Sequence, residues 1–272
     1  MIVFRRLYRD GVPGPGVLML EGAVVTVMGV LCAWWLFPDE ASLICLFLAS
    51  ISASDSVERI LAWNRRAIIE QGLRPIRANA RLIGLFLAVF AGSFAAFGTF
   101  GLTLPITTLQ RLFGHQVGPG VRPLFPDMGF GSFPELFLHN LYVIFFFFLI
   151  ALPFRQGGVM LAITWNASVW GITFAGMARR WSGTGGPALW EAFLRVMAAC
   201  MPHMAVEGVA FVAAGLAGVF LSKGIERYDI ASPITSSILR SSAGMLVGAV
   251  VLVALAAAWE AHVARWLVVT LS

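Results

Sequence analysis

The chain has 272 residues and a formal net charge of +5, and 59% of its residues are hydrophobic whereas 12% are charged. Soluble domains are usually about 45–50% apolar and about 25% charged, so this composition excludes an ordinary soluble protein. It predicts the all-α class, as a polytopic transmembrane bundle of six to seven spans that forms one membrane domain over residues 1–272. The basic residues lie between apolar runs, where they set orientation in a membrane, so nucleic acid is not expected as a partner.

The first apolar runs of the sequence predict a helical hairpin over residues 17–53. A polar turn at residues 37–40, Phe-Pro-Asp-Glu, separates the two runs, and its proline favours a helix end there. Residues 54–81 interleave arginines with apolar side chains, a pattern typical of an amphipathic helix lying on a membrane surface. We predict that this helix is cytoplasmic and that it breaks near Pro75.

The next apolar run predicts a span over residues 82–100, followed by a long loop. Gly84 and Gly92 belong to a stripe of small residues at every fourth position, which lets another helix approach closely. Residues 101–135 are rich in proline and glycine, so we predict an irregular extracytoplasmic loop.

The remaining residues, 136–270, predict four further spans. A short turn at residues 155–158, Arg-Gln-Gly-Gly, separates the first two of them. The apolar run over residues 188–222 contains Pro202 and is too long for one straight span. We therefore predict a proline-broken segment near residues 189–203, which re-enters the membrane or lies at its surface. The small residues predicted to mediate helix packing in these spans are Ala214, Gly218, Gly244 and Gly248.

The distribution of arginine and lysine predicts the orientation of the protein. The positive-inside rule places the N-terminal arginines, the arginines of residues 54–81 and Lys223 on the cytoplasmic side. We therefore predict a multi-pass protein of the cell membrane with a cytoplasmic N-terminus. Arg179 and Arg180 do not fit this arrangement, so the orientation of the second half stays open.

Polar and ionisable side chains inside the predicted spans form the candidate site, because each costs about 2.5 kcal/mol or more to insert. The candidates are Asn140, Asn166, His203, Glu207 and Glu260. His203 and Glu207 are four residues apart and share one helix face, where they could hydrogen-bond to each other, belong to a proton or ion pathway, or hold a metal. A catalytic zinc site needs about three protein ligands, so the pair alone predicts no metal and no other cofactor.

Two of these candidates carry more specific expectations. Asn166 lies in the middle of a span, where an amide is expected to bond another helix or a broken backbone. Glu260 lies in the last span and needs a partner unless it reaches the membrane surface. The nearest candidate partners for Glu260 are His203, Arg195 and Arg265.

Several motifs in combination resemble the stage II sporulation protein M family, in the long form that is common in archaea. They are His139-Asn140 at the start of one span, Thr164-Trp165-Asn166-Ala167-Ser168-Val169 in the next, Pro202-His203 followed by Glu207, residues 214–218, Phe37-Pro38 before Ala41-Ser42-Leu43, and Glu260. The resemblance implies an α-helical membrane protein without known enzymatic activity, which in spore formers works with cell-wall hydrolases. It also implies a shared polar core of Asn140, Asn166, His203, Glu207 and Glu260.

Three functions are compatible with these patterns. The resemblance and the lack of a catalytic set favour a non-enzymatic scaffold or assembly factor, whose partners are the lipid bilayer and other membrane or envelope proteins. The buried polar residues and the proline suggest a transporter or channel as the alternative, since transporters bind substrates at discontinuous helices. An intramembrane metal enzyme built on His203 and Glu207 is a minor alternative. The small-residue stripes make a homodimer compatible with all three.

Overall fold

The computed structural model describes residues 12–117 and 132–264, which fold into helices without a β-sheet. The helices are α1 (Pro15–Leu36), α2 (Ala41–Ile69), α3 (Pro75–Thr103), α4 (Ile106–Val117), α5 (Phe133–Gly183), α6 (Leu189–Arg227), α7 (Pro233–Trp259) and a terminal π-helix (Glu260–Ala264). Six helices of the described part are long and apolar enough to cross a membrane. The predicted all-α bundle of six to seven spans is therefore confirmed.

Helices α1 and α2 form the predicted hairpin, but α2 is longer than the sequence suggested. It continues to Ile69, so the first half of the predicted surface helix over residues 54–81 is the end of a membrane helix. The helix ends just before Gly72, whose φ of 65° is a conformation that glycine adopts readily. The predicted break near Pro75 is present, because α3 begins at this proline.

Helices α1 and α3 pack backbone against backbone through two glycines. A Cβ atom added at Gly92 would overlap the carbonyl oxygen of Met19, and one added at Gly22 would overlap the carbonyl oxygen of Val89. Close approach of this kind replaces the hydrophobic effect as the source of helix association in lipid. Gly84, by contrast, has no heavy atom within 4 Å of an added Cβ, so it makes no close helix contact with the described residues.

The predicted irregular loop over residues 101–135 contains a helix. Helix α4 folds back onto the start of α2, where Ser42 Oγ donates a hydrogen bond of 2.5 Å to Gln116 Oε1. Leu112 and Phe113 of α4 are buried beneath it. The burial of these apolar side chains orders a segment that its prolines and glycines alone would leave irregular. Residues 118–131 of the predicted loop lie outside the described residues.

Helix α5 is interrupted at the predicted turn. Arg155 has a φ of 49° and a ψ of −125°, which divides the helix into limbs at residues 133–154 and 156–183. The limbs lie side by side, since an added Cβ at Gly158 would lie 2.6 Å from the carbonyl oxygen of Ile150. Because α5 consists of two apolar limbs, the six long apolar helices contain seven apolar segments.

Helix α6 differs from its prediction, because it runs unbroken through Pro202 over 39 residues. The proposed re-entrant or interfacial segment near residues 189–203 is therefore wrong. A proline removes one backbone hydrogen bond, which a membrane helix tolerates where neighbouring helices support it. Cys200 and Met204, which lie two residues to either side of Pro202, are buried in one cluster with Phe94 of α3. At about 1.5 Å per residue, α6 is close to 58 Å long and extends beyond an apolar core of about 30 Å.

The helix ends define two faces of the bundle. One face, called the basic face below, holds the start of α3, the turn of α5 and the link from α6 to α7. There Arg155 forms an ion pair of 2.9 Å with Glu226. The opposite face holds α4, residues 184–188 and the terminal π-helix, and on it Arg179 donates a hydrogen bond of 3.0 Å to the carbonyl oxygen of Leu102.

The four other predicted packing residues differ in their environments. Gly218 belongs to a close contact between α5 and α6, because an added Cβ would lie 2.5 Å from the carbonyl oxygen of Phe148. Ala214 is fully buried in the same region. Gly244 and Gly248 have nothing within 4 Å of an added Cβ, so neither makes the predicted helix contact among the described residues.

Candidate functional site

Helices α5, α6 and the terminal π-helix bring polar side chains together in the half of the bundle away from the basic face. We call Asn140, His203, Glu207 and Glu260 the polar cluster. Its centre is a direct contact, in which Asn140 Nδ2 donates a hydrogen bond of 2.7 Å to Glu207 Oε1. Asn140, His203 and Glu207 are each at most 7% exposed. The cluster therefore lies inside the protein, and its central carboxyl is bound by a neighbouring helix.

The local sequence explains how the two central residues meet. Ser132 and Glu135 form a capping box that fixes the start of α5 two turns before Asn140. Gly218 lets α6 approach the first limb of α5 to backbone contact, which holds Glu207 at the level of Asn140. The pairing thus depends on helix register and on the absence of a side chain at Gly218.

A layer of aromatic rings lies next to the polar cluster on the side of the basic face. Phe211 follows Glu207 by one helical turn and is buried. Its ring centroid is 5.6 Å from that of Phe147 and 6.3 Å from that of Trp170. These three rings join α6 to both limbs of α5 and separate the polar cluster from the basic face.

His203 does not form the predicted hydrogen bond with Glu207. Its Nδ1 atom is buried and has no hydrogen-bond partner among the described residues. The Glu207 oxygen that makes a hydrogen bond faces Asn140 on another helix instead. A buried imidazole nitrogen without a hydrogen-bond partner costs free energy in an apolar interior. Nδ1 of His203 is therefore a buried atom of the polar cluster whose hydrogen-bonding capacity is unused in the described structure.

Asn166 bonds its own helix rather than a second one. Its Nδ2 atom donates a hydrogen bond of 2.9 Å to the carbonyl oxygen of Ala162 one turn earlier. It makes no hydrogen bond to Asn140, His203 or Glu207 in the described structure. The prediction that Asn166 joins helices is therefore wrong, because its amide is satisfied locally.

Glu260 starts the terminal π-helix and is half-buried. The π-helix that it begins packs against α6 and α5, which places Glu260 at the polar cluster. None of its predicted partners is found: Arg195 pairs with Glu191 at 2.5 Å, His203 makes no bond to it, and Arg265 lies outside the described residues. A π-helix is rare and often marks a functional position.

The described residues hold no group of three or more His, Cys, Asp or Glu side chains placed to bind a metal ion. His203 and Glu207, the weak metal candidates, share one face of α6 without a third such ligand in that part of the chain.

One buried polar contact was missed by sequence reasoning. Glu21 is only 3% exposed, and Ser56 Oγ donates a hydrogen bond of 2.6 Å to its Oε1 atom. Glu21 lies in α1 and Ser56 in α2, so the bond joins the two limbs of the hairpin. The signal in the sequence was a single carboxyl inside the first apolar run. The residues around Ser56, 35 positions later, do not identify it as the partner.

Comparison with known proteins found no matching family model, no matching curated protein and no matching solved structure. The resemblance to the stage II sporulation protein M family therefore stays a prediction. The fold itself defines the class: the chain is a multi-pass α-helical membrane protein.

Proposed function

We propose that this protein is a non-enzymatic scaffold or assembly subunit of a membrane complex, of the kind that the sporulation family resemblance implies. The observation that supports the proposal is that two polar side chains at the centre of the bundle hydrogen-bond to each other inside the protein. Glu207 is buried and bonded to Asn140, and aromatic rings lie one turn away on the side of the basic face. Such a pair stabilises helix association, whereas a transport site needs groups that a solute can reach.

The helix contacts support the same proposal. Glycines at Gly92, Gly171 and Gly218 bring the backbones of α1, α3, α5 and α6 into direct contact. Alternating access requires one helix bundle to rock against another around a site. Contacts that leave no space for a Cβ atom resist such sliding, because packed interfaces are not continuously deformable.

The long helix α6 offers a surface for a partner on the opposite face. The helix is longer than the apolar core is thick, and Trp190 and Leu194 in its first turns are 58% and 65% exposed. With the basic face in the cytoplasm, as the positive-inside rule suggests, this surface lies outside the cell membrane. Exposed aromatic and aliphatic side chains of this kind are enriched in protein interfaces.

The proposal is tested by isolating the protein from its native membrane in an amphipathic polymer and measuring the mass of the particle. We expect a second protein at fixed stoichiometry, and we expect the Trp190→Ser/Leu194→Ser variant to lose it. Trp35→Ser in α1, where the side chain is 83% exposed, is the matched control and should retain the partner. Particles that contain only this chain, in wild type and variants alike, would count against a scaffold.

A second function, proton or ion transport, is favoured by one specific observation. His203, Glu207 and Glu260 place three ionisable groups in one cluster, with a buried imidazole nitrogen that has no partner in the described structure. Ionisable groups inside a membrane protein are common members of proton pathways. Under this function, Glu207 must change its protonation state, which a glutamine cannot do.

A further inference from the structure

A cavity of about 490 Å³ opens on the basic face, away from the polar cluster. It lies between α2 and α3 on one side and α7 on the other, with α6 as its floor. The gap exists because α7 packs on α6 and α5 and makes few contacts with α2 and α3. Asn79 and Met245 close its inner end, since Asn79 Nδ2 lies 4.0 Å from Met245 Sδ.

Cations outnumber carboxylates around this cavity. Arg65, Lys223 and Arg227 line it, against Glu58 alone. None of the three cations forms an ion pair within 4 Å in the described part of the chain. The neighbouring Glu226 is already paired with Arg155. Among the lining side chains the cavity thus carries an excess of positive charge, three cations against one carboxylate.

Apolar side chains make up much of the cavity wall. They include Leu61, Ile68, Val219, Phe220, Ile234 and Ile238. Ile234, the second residue of α7, is 49% exposed. A cavity that combines cationic and apolar lining side chains is complementary to an amphiphile rather than to a free ion.

A buried polar group with unused hydrogen-bonding capacity lies at the inner wall. Asn64 lines the cavity and is 2% exposed. Its Nδ2 atom donates a hydrogen bond of 3.0 Å to Asn79 Oδ1, whereas its own Oδ1 atom has no partner among the described residues. That oxygen is buried away from the open space of the cavity, so it makes no contact with a bound head group. The Asn64–Asn79 hydrogen bond instead fixes α2 against α3 beside the cavity.

We propose that the cavity binds an anionic glycerophospholipid, with phosphatidylglycerol as the simplest case. The phosphate lies among Arg65, Lys223 and Arg227, and an acyl chain follows the apolar wall. The volume suits a head group and the first part of one chain. This site is independent of the scaffold function and of the polar cluster.

The test measures lipid binding to the full chain in mixed micelles, with phosphatidylglycerol, phosphatidic acid and phosphatidylcholine as probes and soluble glycerol phosphate as a competitor. We expect phosphatidylglycerol and phosphatidic acid to bind more tightly than phosphatidylcholine, because phosphatidylcholine lacks net charge. Each basic residue near a membrane surface contributes roughly fivefold to anionic lipid binding, so Arg65→Gln/Lys223→Gln/Arg227→Gln should weaken binding on the order of a hundredfold. The matched control Arg66→Gln/Arg77→Gln/Arg240→Gln removes equal charge from exposed positions that do not line the cavity and should bind normally.

A second pair of variants tests the location without changing charge. Ser241→Trp fills the cavity from an exposed lining position on α7 and should also displace the lipid, whereas Ser236→Trp on the same helix, which does not line the cavity, should not. The proposal is overturned if phosphatidylcholine binds as tightly as phosphatidylglycerol, or if the control triple variant loses as much affinity. It is equally overturned if Ser241→Trp binds normally, or if glycerol phosphate competes as well as the lipid.

Discussion

Replacing Gly92 by leucine should lower the free energy of unfolding of this protein by several kcal/mol and in practice prevent normal assembly of α1 on α3. A Cβ atom at this position would overlap the carbonyl oxygen of Met19. Added methylenes in a packed interior usually cost about 1–3 kcal/mol, and more where only the backbone can yield. Thermal unfolding of the purified protein in a mild detergent measures the effect.

Gly84→Leu is the matched control for this variant, because it lies on the same helix two turns earlier. An added Cβ at Gly84 meets no heavy atom within 4 Å. A helical glycine costs about 1 kcal/mol relative to alanine, so Gly84→Leu should leave stability unchanged or raise it. Equal losses for the two variants would mean that α1 and α3 do not touch as described.

Replacing Asn140 by leucine is expected to have the second largest effect, a loss of about 1–3 kcal/mol, because it leaves the buried Glu207 carboxyl without its hydrogen bond. Glu207→Gln keeps an oxygen that can accept from Asn140, and it replaces a buried ionisable carboxyl by a neutral amide. We therefore expect Glu207→Gln to be as stable as the wild type, or more stable.

The double variant Asn140→Leu/Glu207→Leu should recover much of the loss, since two apolar partners leave no buried polar group unsatisfied. Together with the single variants Asn140→Leu and Glu207→Leu, it completes a double-mutant cycle, from which we expect a coupling free energy of roughly 1 kcal/mol or more. Asn166→Leu is the control, because its amide bonds only its own helix, and it should change stability by less than about 1 kcal/mol. Additive losses at Asn140 and Glu207 would show that the two side chains are not paired.

The sequence predicted those parts of the fold that depend on local signals. The break near Pro75 and the turn at Arg155 both follow from residues that end or redirect a helix within a few positions. The continuity of α6 through Pro202 was missed, because the residues that flank the proline, Cys200 and Met204, pack in one cluster with Phe94 of another helix. Packing between helices that are distant in the sequence cannot be recognised from neighbouring residues. Helix α4 was missed for the same reason, because it is ordered by the burial of Leu112 and Phe113.

The candidate site was also predicted only in part. The sequence identified Glu207 as a buried carboxyl because a charge inside an apolar run is visible by itself. It placed the partner at His203, four residues away on the same helix, whereas the structure places it at Asn140, 67 residues away. The register of α5 against α6 determines that Glu207 meets Asn140 rather than His203. The basic-face cavity joins four helices, so its residues could not be grouped from spacing alone.

The most direct test of a scaffold that moves no solute is flux through purified protein in liposomes. Vesicles with the wild-type chain and with Glu207→Gln are given a pH gradient and a membrane potential, and proton and cation movement is followed with internal dyes. The scaffold function predicts that both preparations leak no faster than protein-free vesicles. A flux well above that of protein-free vesicles, which Glu207→Gln abolishes while the variant stays folded, would contradict it and make the polar cluster a transport site.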